Sequence, residues 1–158
     1  MAEINLKQGL IEKVESNLNK LNCTYDFDET YSVFSTELPL MCKLKNTHML
    51  IICRDDGVSF RFSVSMNTDD ENVIQVMEYV TRVNDTLLDG GFRMDLDRNT
   101  IEYSIFLPCE DVPTHNAIER NMSIGLKVLH KYGDELLAVM FGMKNAKDAV
   151  EAAEEKSK

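Results

Sequence analysis

No run in this chain comes near the ~18 uncharged apolar residues that a membrane-crossing helix needs, so the sequence predicts no spanning segment. Basic residues are scarce as well: 17 Lys and Arg stand against 27 Asp and Glu, for a formal net charge of −10. Nucleic-acid binding ordinarily requires a basic face, and attachment to anionic lipid requires clusters of Lys and Arg. Neither pattern is present, which argues against both kinds of partner. Residues 1–13 also lack the charged, then apolar, then small-residue order of a secretory signal. The four cysteines, Cys23, Cys42, Cys53 and Cys109, form no Cys-x-x-Cys pair. Without a leader toward an oxidising compartment, a cytoplasmic setting and four reduced, core or half-buried thiols are expected.

The chemistry-bearing residues do not assemble into a motif. Of His48, His115 and His130, no two lie three or four apart, and none neighbours a cysteine at metal-ligand spacing. Gly90-Gly91 is not followed by Lys-Ser/Thr, and it stands between a helix and a strand in the wrong order for a nucleotide loop. Asp95-Leu96-Asp97-Arg98-Asn99 starts like a calcium loop but has no glycine at its sixth position and no glutamate at its twelfth. Asp55-Asp56 and Asp69-Asp70-Glu71 fall where turns and helix caps favour acids. No catalytic residue, metal or cofactor is assigned on this basis.

What the chain does have is local periodicity. Its 158 residues suit one domain, which at this length buries about 68–70% of its unfolded surface. The core is expected over about 5–142, with 143–158 as a C-terminal helical extension. Residues 3–22 read as an amphipathic helix with Leu10, Ile11, Val14, Leu18 and Leu21 on one face. Thr24-Tyr25-Asp26-Phe27 begins a short strand, and residues 31–38 form an edge strand ended by Pro39. Met49-Leu50-Ile51-Ile52-Cys53 is apolar without a break, so both faces of that strand are expected to be covered. Asp55-Asp56-Gly57 supplies a tight turn. Val58, Phe60, Phe62, Val64 and Met66 then alternate with Ser59, Arg61, Ser63 and Ser65, which predicts one dry and one wet face.

Asp69 or Asp70 can cap the next helix, residues 72–88, and Asp89-Gly90-Gly91 stops it. Phe92, Met94 and Leu96, then Ile101, Tyr103 and Ile105, have strand period on either side of Asp97-Arg98-Asn99. Thr114 can cap a further helix whose apolar face carries Ile118, Met122, Gly125, Leu129, Tyr132 and Leu136, with a break or kink at Gly133-Asp134. Asn145 can cap a last helix over 146–155. The links between strands are too short for parallel crossovers except where a helix intervenes. The fold class is therefore α+β: a single antiparallel sheet with helices mainly on one face. The element order is α-β-β-β-α-β-β-α with an extra C-terminal helix.

Two features exceed this background. Asn84 lies by helical angle inside an apolar face, and a buried amide must be bonded. It should hold backbone of the adjoining hairpin or a partner's helix. The second is surplus apolar surface, since the stripe on 72–88 is wider than one sheet needs and 49–53 is apolar on both sides. Large apolar patches mark interfaces. The candidate interface on the helix is Val76, Met77, Val80, Val83, Asn84 and Leu87, and on the strand Met49 and Ile51. The opposing arrangement has the last two helices wrapping round to cover this area within one copy.

Val83-Asn84, then Gly91-Phe92 leading into a hairpin with Ile101-Glu102-Tyr103, resembles the YbjN-type domain family. Met49-Leu50-Ile51-Ile52 followed by Asp55-Asp56-Gly57-Val58 fits the same pattern, as do Tyr132 and Gly142 downstream. The similarity spans residues 5 to 142. That family is similar in architecture to type III secretion chaperones, and the resemblance implies an acidic, homodimeric, non-enzymatic binding scaffold for extended polypeptide. The helix after Gly142 is an addition to that pattern. The expected function is a cytoplasmic chaperone-like interaction domain that binds a partner polypeptide or itself. An extended peptide could also add to the 31–38 edge. The alternative is a small-molecule binder or enzyme with a pocket between sheet and helices, where Asn84, Tyr103, His48 or Cys53 would supply polar groups.

Overall fold

The computed structural model describes residues 5–156. Helix α1, Leu6–Lys20, starts where Asn5 accepts a hydrogen bond from the Gln8 amide. The expected start at residue 3 lies outside the described residues. Four strands follow: β1, Asp26–Asp28; β2, Val33–Pro39; β3, Asn46–Cys53; and β4, Gly57–Val64. The short β1 stands apart from β2, so four strands rather than three precede α2, Val73–Thr86. Then come β5, Gly91–Asp95; β6, Thr100–Pro108; α3, His115–Met140; and α4, Ala146–Glu155.

The six strands form one antiparallel sheet in the order β1-β2-β3-β4-β6-β5. The fold is α+β, as the periodicities require. β2 is not an edge, because β1 pairs with its first three residues. Across the β3–β4 hairpin Cys53 faces Val58, Ile51 faces Phe60 and Met49 faces Phe62. Residues directly opposite share a face, so the dry alternation of β4 decides which residues of β3 point inward. Met49, Ile51, Cys53, Val58, Phe60 and Phe62 are all buried.

Helix α3 runs unbroken for 26 residues. Its Thr114 cap accepts from the Ala117 amide at 3.1 Å, and Gly142, at φ +73°, follows its end in the left-handed region that favours glycine. The break expected at Gly133-Asp134 does not occur, because both residues serve packing. A Cβ on Gly133 would lie 2.8 Å from Leu44 Cδ1, and Asp134 Oδ1 accepts from the Lys43 amide at 2.7 Å. Gly125 sits more tightly, with the position of a Cβ only 2.2 Å from Phe62 Cε2. Glycine there lets α3 rest directly on the aromatic layer of β4.

Helix α4 is part of the core rather than an extension. Ala146, Ala149 and Ala153 are completely buried, and their small side chains let α4 lie close against α2 and α3. Tyr79 of α2 donates to the Tyr132 carbonyl at 2.8 Å. Tyr132 in turn donates to Glu154 Oε1 at 2.7 Å, and Lys131 Nζ meets Glu154 Oε2 at 3.0 Å. One polar chain thus joins the three helices.

Candidate interaction surface

The predicted interface residues are consumed inside the protomer. Val76, Val83, Met49 and Ile51 are fully buried and Val80 nearly so. This corrects the expectation of surplus area on α2: α3, α4 and β5 between them cover the stripe. Leu87 is half-buried, and only Met77, at 42% exposure, opens to solvent beside Ile74. Asn84 is bonded on both sides to one residue of the hairpin. Its Nδ2 donates to the Phe92 carbonyl at 3.0 Å and its Oδ1 accepts from the Phe92 amide at 2.8 Å. The amide therefore docks β5 against α2, and Asn84 is a structural clamp.

The polar groups considered for a pocket do not converge. Tyr103 donates to the Asp89 carbonyl at 2.7 Å and holds the α2–β5 turn. His48 lies on the opposite face of the sheet, bonded to Glu37 at 2.6 Å. Cys53 faces the core, where burial pushes its thiol up to about 12. Since the thiolate is the nucleophilic form, that group is inert near neutral pH. Burial likewise raises the Cys23 and Cys109 thiols, and all four cysteines are free. The Asp95 carboxylate accepts from the Asp97 and Arg98 amides, which is a turn rather than a cation loop. Among the described residues no three His, Cys, Asp or Glu side chains gather as metal ligands.

What stands open is the other face of the sheet. α1 and α3 cover β3, β4 and β6 from one side. On the far side the cross-strand rows read Val33–Ile52–Ser59–Phe106, Ser35–Leu50–Arg61–Ser104 and Glu37–His48–Ser63–Glu102–Arg93. Leu50, Ile52 and Val33 are half-buried in this layer and Phe106 is 44% exposed. The bare residues of β3 are thus Leu50 and Ile52, of opposite parity to the predicted Met49 and Ile51. Arg61 and Glu102 form a bidentate pair at 2.7–3.0 Å in the middle of the face, the strong geometry for guanidinium and carboxylate. Two shallow grooves of about 510 and 350 Å³ flank this pair, and both are lined by Arg61 and Arg93.

The α+β fold has a counterpart among solved structures. The crystal structure of YbjN from E. coli, described as a candidate transcription regulator, superposes with a TM-score of 0.56. The match covers 74% of this chain and 83% of that one. The fold is YbjN-like. At 10% identity the likeness to YbjN is one of architecture, which agrees with the resemblance seen in the residues. No protein-family model matches the chain, and no curated protein does.

Sequence reasoning named Met49 and Ile51 while leaving open which face of the 49–53 strand the helices leave bare, and it missed the Arg61–Glu102 pair, although a signal for the strand parity was present. Asp55-Asp56-Gly57 marks a tight hairpin, and its two arms must carry the same parity across the turn. With Val58 on the dry side, Cys53, Ile51 and Met49 must be dry as well.

Proposed function

We propose that this chain is a non-enzymatic, chaperone-like interaction domain that holds polypeptide, either a partner's or its own, on the bare face of its YbjN-like sheet. The supporting observation is the one-sided architecture. Helices α1, α2 and α3 cover one face, while the other presents Leu50, Ile52, Val33 and Phe106 partly open around a single paired arginine. Partly open apolar side chains beside arginine are a composition that protein-binding patches favour. The YbjN-like plan fits the same reading. No helix of the described chain is long and apolar enough to cross a membrane. Four free thiols suit a reducing, cytoplasmic setting.

The test is site-specific photocrosslinking. A benzophenone side chain at position 50 is expected to capture polypeptide in the source cell, whereas one at Glu151, exposed on α4, is not. Equal adducts from both positions, or none from position 50, would remove the proposal.

A further inference from the structure

We infer that the bare sheet face is an interface between two copies of this chain, packed face to face about a two-fold axis parallel to the strands, the acidic half of each face lying on the arginine half of the other. This deepens the proposed function by naming the polypeptide, and it rests on that reading.

The inference comes from how charge divides across one face. Four of the six arginines in a chain of net charge −10 line the two grooves at the β4–β6–β5 side: Arg54, Arg61, Arg93 and Arg98. The carboxylates lining those grooves are Glu102 and Asp95. Arg61 occupies both oxygens of Glu102, so Arg93, directly opposite Glu102 in the register, is left over. Among the described residues the Arg93 and Arg98 side chains make no hydrogen bond or ion pair, and both are exposed. At the other edge the charge reverses. Asp26 and Asp28 project on the same face as Ser35 and Val33, and Glu37 follows two residues on. The groove of about 480 Å³ at that edge is lined by Asp26, by Glu37 and the His48 it bonds, and by no lysine or arginine.

Such a face is complementary to itself. Rotation about an axis running along the strands exchanges the β1 side with the β5 side, so each acidic edge meets an arginine edge twice over, in the isologous manner of a closed dimer. The strands stay nearly aligned, as stacked sheets prefer, and Leu50 and Ile52 fall near the middle. Elsewhere two molecules of net charge −10 repel each other, which suppresses other approaches. The size is also adequate. Six strands at ~4.8 Å and about six residues at ~3.3 Å give a face of roughly 600 Å², near the ~800 Å² per partner of a stable complex.

Light scattering on the eluting protein, at ten to a hundred micromolar in low salt, is expected to give twice the chain mass, decreasing toward one chain as salt screens the halves. Arg93→Glu with Arg98→Glu makes both halves acidic, and Asp26→Lys with Glu37→Lys makes both basic. Each double variant alone is expected to weaken association about tenfold or more. Mixed in equal amounts, the two are expected to form a heterodimer, since every edge then meets its opposite. All four positions are exposed, and circular dichroism checks that both variants fold. A wild-type monomer, variants that remain dimeric, or a mixture that stays monomeric would each overturn the interface. If the wild type is monomeric while position 50 still crosslinks foreign polypeptide, the dimer fails and the proposed function stands. If nothing crosslinks and the wild type is monomeric, both fail.

Discussion

At the scale of single residues, the buried and half-buried polar groups carry the most consequence. Asn84 replaces two backbone partnerships that β5 would otherwise leave open at its first turn. Truncation to alanine strands a donor and an acceptor of Phe92, and an unsatisfied buried group costs about 1–3 kcal/mol. Asn84→Ala is therefore expected to lower the urea midpoint by a corresponding amount, with the slope unchanged. That Asn84 must be bonded was readable from its place on an apolar helix face; that the partner is Phe92 depends on where the hairpin lands. Glu154 makes a prediction about pH. The Tyr132 hydroxyl, and after it Lys131, hold its carboxyl below the usual value of 4.5, and the Lys43 amide, with Lys156, does the same for Asp134. A carboxyl depressed in the folded state adds stability above its unfolded value and loses it as pH falls through the folded one. Thermal midpoints are expected to decline below about pH 4.5. The decline should be shallower in Glu154→Gln, whose midpoint at neutral pH should also be lower. An unchanged pH profile in that variant would show that the Tyr132–Glu154 contact contributes little.

At the scale of elements, α3 shows how one helix can serve two surfaces. Its glycines look like breakers in isolation, yet both are places where something else approaches. Alanine in a helix interior is favoured over glycine by about 1 kcal/mol. At Gly125 the new methyl would overlap three atoms of the buried Phe62 ring, and overpacking of this kind costs about 1–3 kcal/mol. Gly125→Ala is expected to destabilise, measured by its melting temperature, and Phe62→Leu in the same chain should recover part of the loss. Gly133→Ala meets only the ends of Leu44 and Cys42 and is expected to be closer to neutral. The last helix gives a stronger effect. A chain ending at Gly142 would expose the α2 and α3 surfaces under Ala146, Ala149 and Ala153 and remove Glu154 from the Tyr132 hydroxyl and Lys131. It is expected to lose cooperative unfolding and to bind a hydrophobic dye, whereas a merely appended helix could be removed without either change.

At the scale of the whole molecule, the helices divide the sheet into a protected face and an available one. The centre of the sheet, β4 between β3 and β6, has both edges paired and one face sealed. β1 is three exposed residues at the margin. Amide exchange follows local opening free energy, so residues 58–64 are expected to exchange slowest and 26–28 among the fastest. Protection of 26–28 that rises with protein concentration would signal a partner at the acidic edge.

Element type, strand alternation, the Thr114 and Asn145 caps and the α+β class were set by the sequence itself, because each is a local matter of period and turn chemistry within a few residues. The cap expected from Asp69 or Asp70 does not form: α2 begins after Asn72 with no side-chain cap, and Asp70 accepts from the Asn99 side-chain amide of the β5–β6 turn instead. Leu10, Val14 and Leu18 announce an inward helix face wherever that helix packs. The fate of Val76, Val80 and Val83 was decided only by tertiary structure, because an apolar stripe looks the same whether a second copy or the chain's own α4 covers it. The same holds for the arginines. Arg54, Arg61, Arg93 and Arg98 come from separate strands and turns and share a face only because β4, β6 and β5 lie side by side. Burial and charge grouping are properties of neighbours in space, and strand order is what supplies those neighbours.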